Sequence, residues 1–541
     1  MASSHDKNAA PTLASQTQDK RWTESLKAFF HPRVVTMLFL GFSAGIPILL
    51  IFSSLSLWLR EAGVEKSAVT FFSWAALGYS FKFIWAPLVD RLPLPVLTGW
   101  LGRRRGWMLL SQMAVIGSLL WMALTDPALA TNSLTLMALA AVALGFSSAT
   151  QDIVIDAYRI DSASMDLQAL MSSTYIAGYR IGMLIAGAGA LYLADFFGST
   201  TETYNYAAWR NTYVVMSTMM LIGIVTTFVI TEPERKSDEH SEHPLNDHLR
   251  FFVTFLVAVI VFILVFRFSG SWTQTISGYL SEVFNNRQLG QLVAASARLA
   301  VSVLMVWIVA RLLIGLNVVN GQMVRDAYME PVRDFFSRYG KNLAILLLLL
   351  VGFYRVSDIV LGVIANVFYQ DMGYTKTQIA SVSKVFGLWM TIIGGFLGGL
   401  LSVRFGVMRI LLLGAVLSAG TNLLFLLLAD GNGTEMVEGT GNIGLLYLVI
   451  GADNLSAGLA SAAFIAFLSS LTNISFTAVQ YAIFSSLMTL FPKVLGGYSG
   501  TLVESMGYAS FFIMTALLTV PVIVLILIAG KRFDGKVEFA R

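Results

Sequence analysis

Leu57-Trp58-Leu59-Arg60-Glu61-Ala62-Gly63-Val64-Glu65-Lys66-Ser67 closes a long apolar stretch that begins near Gly41. Val367-Phe368-Tyr369-Gln370-Asp371-Met372-Gly373-Tyr374-Thr375-Lys376-Thr377 closes another, which begins near Gly352. In both, a Gly-x-x-Lys turn separates two apolar segments, so the second half of the chain repeats the plan of the first. A later pair agrees, with Gly145-Phe146-Ser147-Ser148-Ala149 answered by Gly458-Leu459-Ala460-Ser461-Ala462. Membrane chains built from two such halves, with polar residues near mid-bilayer, are typically transporters that rock one half against the other around a central site.

Composition sets the environment. Of the 541 residues, 56% are hydrophobic and 13% charged, and the mean hydropathy is positive. An ordinary soluble protein is excluded. The reading is an all-α integral membrane protein of about 14 spans, each near the roughly 20 residues that cross a hydrocarbon core. The net charge of +4 is spread between the spans rather than gathered on one face, so no nucleic-acid partner is expected. The absence of cysteine excludes disulfides and thiolate metal sites.

The spans fall at 34–59, 67–89, 106–125, 134–159, 167–195 and 208–230 for the first half. The second half has 342–371, 376–402, 406–429, 442–471, 475–500 and 507–530, and two extra segments lie between the halves at 251–283 and 291–317. The chain therefore divides into a tail at 1–33, a six-helix half at 34–230, a linker at 231–341, a second six-helix half at 342–530 and a tail at 531–541. The first apolar segment is too long for a cleaved signal and should stay as an anchor. Arg267, Arg298 and Arg311 in the extra pair should face protein or snorkel. Val324 to Lys341 alternates aromatic and charged residues, the pattern of a helix lying on the membrane surface.

Arg91 and Arg103-Arg104-Arg105, the linker arginines and the C-terminal Lys531 and Arg532 mark the cytoplasmic side, while the acidic loop Asp430 to Asn442 should face outward. Both termini are then cytoplasmic. Asp90-Arg91 followed by Gly102-Arg103-Arg104-Arg105-Gly106 resembles the Gly-x-x-x-Asp-Arg-x-Gly-Arg-Arg element of the major facilitator superfamily, which implies a gating role for Asp90 and Arg91. The first copy departs from it at Trp85-Ala86-Pro87, and the second copy lacks the acid at Val403.

The strongest site signal is in span four. Ser148, Asp152, Asp156 and Arg159 follow the helical step and form one polar stripe, with Gln151 beside it. An ionised aspartate at membrane depth costs at least about 2.5 kcal/mol on insertion scales, so such a group is expected to be paired, protonated or wet. Arg159 can pair with Asp156 near the helix end, as a gate or a plain helix-end bridge. Asp152 lies roughly 10 Å deeper. Arg180, beside Tyr179, is roughly 20 Å into span five. In the second half Tyr354, Arg355, Asp358, Asp453 and Asn454 reach similar depth, and Lys384 is shallower. Static interhelical pairs, such as Arg355 with Asp358, are the plain alternative.

A cavity of fixed arginines and titratable aspartates suits an anionic substrate driven by protons. Arg180 and Arg355 would clamp carboxylates. Gln151, Asp152, Tyr179, Tyr354, Lys384 and Asn454 would complete the substrate site. One of Asp152, Asp358 or Asp453 would carry the coupling proton. Tyr175, Tyr179, Tyr354, Tyr369 and Trp389 could stack on sugar rings.

These pieces together resemble the AmpG muropeptide permeases of Gram-negative inner membranes, a branch of the major facilitator superfamily. The matching runs are Phe81-Lys82-Phe83-Ile84-Trp85-Ala86-Pro87-Leu88-Val89-Asp90-Arg91, Gln151-Asp152-Ile153-Val154-Ile155-Asp156-Ala157, Gly178-Tyr179-Arg180-Ile181-Gly182-Met183-Leu184, and Asp453-Asn454-Leu455 onward to Ser475-Phe476-Thr477-Ala478-Val479-Gln480. The resemblance implies a major facilitator fold and proton-driven import of GlcNAc-1,6-anhydro-MurNAc peptides for cell-wall recycling, cargo that feeds β-lactamase induction. A monomer is expected, with no cofactor beyond the proton gradient. The extra pair of segments is not in the common pattern. Acetyl-coenzyme A transporters share part of it and also move an anion. A membrane-bound glycan transferase would need a base or metal site, yet His5, His31, His240, His243 and His248 all lie in tails or loops without ligand spacing.

Overall fold

The computed structural model describes residues 27–64, 77–129, 131–163, 165–199, 203–233, 245–284, 287–430, 442–496 and 499–533. Of the expected tails 1–33 and 531–541, residues 1–26 and 534–541 lie outside these residues, as do the start of the second span and the acidic loop 431–441. Among the described residues, 13 segments are long and apolar enough to cross a membrane. The second crossing is described only from Leu77, which accounts for the fourteenth span of the sequence reading.

The first half begins with α1 (Pro32–Ile51) and α2 (Ser53–Glu61), bent at Phe52. Pro32 sits in the first turn, where its missing N–H costs nothing, and the His31 side chain accepts the Arg33 N–H. The second crossing is α3 (Leu77–Phe81), a 3₁₀ turn at Lys82–Ile84 and α4 (Ala86–Arg91). A short α5 (Leu97–Leu101) ends at Gly102, whose φ of 89° turns the chain into α6 (Arg103–Ala123). Then come α7 (Thr131–Ser162) and α8 (Met165–Leu184). A π segment at Ile185–Gly189 leads into α9 (Ala190–Phe196). Finally α10 (Tyr206–Met219) and α11 (Leu221–Val229) complete the half.

Between the halves lie α12 (Leu245–Phe268), α13 (Gly270–Val283), α14 (Arg287–Gly315), α15 (Gly321–Tyr328) and the start of α16 (Glu330–Phe353). This region, residues 235–338 with 90–93, is a compact unit of its own, and the remainder of the chain is the other. The expected single span 251–283 is broken at Ser269. The Phe266 carbonyl left free at the break accepts hydrogen bonds from Arg298, whose guanidinium also lies 3.8 Å from the Phe266 ring. That contact satisfies an arginine the sequence placed in a lipid-facing helix. The expected surface helix is two pieces, and Gly340, with φ of 73°, ends it and starts the next crossing.

The second half continues from α16 through α17 (Val356–Asp371), α18 (Lys376–Ile379), a π segment at Ala380–Phe386 and α19 (Gly387–Phe405). It ends with α20 (Val407–Asp430), α21 (Ile443–Leu471), α22 (Thr477–Gly496), α23 (Ser499–Leu517) and α24 (Thr519–Phe533).

Each half has its own aromatic core. Trp58 stacks on Trp209 at 5.7 Å in the first, and Phe368 packs on Phe425 and Phe512 in the second. Lipid supplies no hydrophobic force between helices, so close approach is built by small residues. A Cβ on Gly41 or Gly45 would lie 2.2 or 2.1 Å from a carbonyl oxygen of α8, and one on Gly178 would lie 1.9 Å from that of Leu38. The helices α1 and α8 therefore touch backbone to backbone at the level of Tyr179 and Arg180. Gly394 and Gly458 join α19 and α21 the same way.

Candidate functional site

The polar stripe of α7 forms as its spacing predicts, and it faces groups from four other crossings: the second crossing, α8, α21 and α22. Tyr79 of α3 donates to Ser148 at 2.6 Å. Tyr175 of α8 donates to Asp152 at 3.4 Å. One turn on, Asp156 lies between two cations, Lys82 at 3.7 Å and Arg159 at 3.3 Å. Arg159 has no exposed surface. Its guanidinium donates to Ser172 and Gln168 within the first half and, at 2.6 Å, to Ser469 of the second. The Tyr481 ring of α22 covers it at 5.1 Å. A charge without such partners would be costly in this setting; the two terminal nitrogens of Arg159 are satisfied, and its buried Nε has no hydrogen-bond partner among the described residues.

Arg180 is half-buried, one turn before the π segment of its helix. Arg355 occupies the break between α16 and α17 and reaches Asp358 at 4.0 Å. Arg180 and Arg355, one on each half, lie within electrostatic reach of one another. Asp358 accepts from Ser418 of α20, and Asp453 of α21 accepts from Thr421, also of α20, at 3.3 Å. The two carboxyls share one field.

Other expected site residues are placed differently. The Gln151 amide is buried and donates to Ser43 of α1 at 2.8 Å. Tyr354 stacks on Phe464 at 4.4 Å and donates to the Leu411 carbonyl. The Asn454 side chain bonds Thr391 and the Ile450 carbonyl. Lys384 is exposed within its π segment. Trp389 shares an exposed stripe with Val385, Ile393 and Leu397, opposite the packed Gly387, Thr391 and Gly394, so that face suits lipid rather than sugar.

At the arginine-rich end, Asp90 is buried and Arg91 donates to the Asp326 carbonyl. Arg104 bonds Asp161 at 2.8 Å and Thr477 at 2.5 Å, while Glu232 accepts its backbone N–H. With Arg159–Ser469, this ties the two halves together at that end. The sequence reading missed Tyr79, Asp161, Glu232, Ser418, Thr421, Ser469 and Tyr481. Asp161 was visible as the next acid on the α7 run, whereas single hydroxyls and a tyrosine carry no pattern.

Comparison with known proteins agrees with this geometry. A sequence model of the Major Facilitator Superfamily matches residues 81–354. A transporter of Rickettsia felis named AmpG 4 is 30% identical over 94% of this chain and 99% of its own. The anhydromuropeptide permease of Escherichia coli K12 is 27% identical over 95% of this chain and 82% of its own. Two solved structures share the fold. The proton:xylose symporter XylE is 12% identical with a TM-score of 0.54, covering 93% of this chain and 95% of its own. FucP in its outward conformation is 11% identical with a TM-score of 0.56, covering 93% and 99%. Relatives and fold alike are those of transporters rather than enzymes, and the chain belongs to the Major Facilitator Superfamily, among its AmpG-type members.

Proposed function

We propose that this protein imports anionic peptidoglycan fragments, GlcNAc-1,6-anhydro-MurNAc and its peptides, from periplasm to cytoplasm across a bacterial inner membrane, driven by protons. Both termini are then cytoplasmic, the arginine-rich end faces the cytoplasm, and one chain suffices. The observation that carries this reading is the pair Arg180 and Arg355. Two half-buried guanidiniums, one from each half, repel across the interface until an anion lies between them. A peptide carboxylate fits both forks, and bridging the halves is what alternating access requires of a substrate. Tyr179 beside Arg180 supplies a ring for a sugar face. The relatives named for anhydromuropeptide transport support this cargo over acetyl-coenzyme A, which would satisfy the same arginines. The imported fragments would enter cell-wall recycling and the induction of β-lactamase.

The test is uptake by proteoliposomes holding Arg180→Ala, Arg355→Ala or both. Each single change raises the substrate KM and the pair abolishes uptake, while Arg→Lys restores part of it. Uptake undiminished in the double variant would overturn the clamp.

A further inference from the structure

The charges of the two halves do not balance alike. In the first, Asp152 and Asp156 are matched by Lys82 and Arg159, linked through contacts of 3.7 and 3.3 Å. In the second, among the described residues, Asp358 and Asp453 have one cation in contact, Arg355, which reaches Asp358 at 4.0 Å. An unbalanced carboxylate in a membrane interior is not sustained; it binds a proton or a cation.

We propose that Asp358 and Asp453 form one proton site and that Arg355 couples it to the substrate site: an anion drawn between Arg180 and Arg355 takes Arg355 from Asp358, and the acid pair answers by binding a proton. This rests on the function proposed above. The proton enters from the outer aqueous side onto a carboxylate oxygen, giving a neutral carboxyl. It leaves to the cytoplasm when the substrate departs and Arg355 returns.

The surroundings fit such a switch. Ser418 and Thr421 are the hydroxyl partners of the two acids. A hydroxyl donates to a carboxylate and accepts from a carboxylic acid, so the same frame holds either state. The Arg355–Asp358 contact is long, with side chains 25% and 19% exposed, so Arg355 is free to change partner. Tyr354 and Tyr369 share a field with the pair. The packed helices also carry Arg180 in α8, Arg409 in α20, Tyr481 and Lys493 in α22 and Glu504 in α23, and Lys384 lies in the π segment. Sodium is disfavoured by the guanidinium beside Asp358.

The experiment adds GlcNAc-1,6-anhydro-MurNAc-tripeptide to the purified full chain in weakly buffered detergent with a pH indicator. Wild type takes up protons in step with binding, and its Kd tightens roughly 5- to 150-fold from high to low pH. Asp358→Asn and Asp453→Asn still bind and still exchange substrate across proteoliposomes, but take up no proton and lose gradient-driven accumulation. Wild-type binding without proton uptake, sodium replacing the proton, or accumulation unchanged in both variants would overturn the coupling alone. Failure of wild type to bind would remove the substrate reading and the coupling with it. If the Asn variants lose exchange, Thr421→Val retains both acids and shifts the pH of half-maximal uptake; an unmoved profile overturns the proposal.

Discussion

Asp156 is held between Lys82 and Arg159, and both cations are buried. Asp156→Ala leaves them uncompensated, which costs about 3–5 kcal/mol for a buried pair. Thermal unfolding in detergent is expected to drop sharply, and an unchanged midpoint would mean that water reaches the site. A second residue lies outside the spans. Tyr204 donates to Asp126 at 2.6 Å and accepts from Trp58 at 3.3 Å. Burial, then the bond to Asp126, pushes its phenol well above the usual value. Its contribution is therefore fully present below the unfolded pKa of about 10 and is lost as pH rises through the folded one. Tyr204→Phe should cost about 1 kcal/mol, constant near neutral pH and shrinking above about pH 10, as read from unfolding at a series of pH values. Charged residues such as Asp152, Arg180 and Arg355 were legible in the sequence because charge is rare in a span. Their partners were not, because Ser418, Thr421 and Ser469 look like any small residue until helices are packed.

Helices α1 and α8 depend on Gly41, Gly45, Gly178 and Gly182, because a methyl on any of them meets a backbone oxygen. Gly178→Ala should separate the helices and move Arg180, so substrate KM and stability both worsen. Gly117→Ala, which meets nothing within 4 Å, should be neutral or slightly stabilising, by up to about 1 kcal/mol. Equal effects at the two positions, measured by uptake and unfolding side by side, would contradict the packing account. Span lengths could be read because the bilayer demands them. The breaks at Ser269 and Gly340 could not, since a long apolar run looks continuous whether or not its backbone turns, and Gly340 turns by adopting φ of 73°. The π segments at Ile185–Gly189 and Ala380–Phe386 also leave no mark in hydrophobic periodicity; π-bulges are frequent at functional sites.

At the scale of the molecule, the halves meet at the arginine-rich end through Arg159–Ser469 and Arg104–Thr477, and Ser173 lies against Gly399 beside them. Transport by rocking requires these contacts to break. The chain has no cysteine, so Ser173→Cys is a clean reporter. It should resist an impermeant maleimide applied from the cytoplasmic side and become reactive when Arg104→Ala loosens the end; equal labelling would contradict the closure. The central claim is proton-driven muropeptide import. Its most direct test is accumulation of labelled GlcNAc-1,6-anhydro-MurNAc-tripeptide in proteoliposomes, with and without an inward proton gradient, beside acetyl-coenzyme A. Gradient-stimulated accumulation of the muropeptide alone is the predicted result, and uptake of acetyl-coenzyme A instead, or no gradient effect, would contradict it.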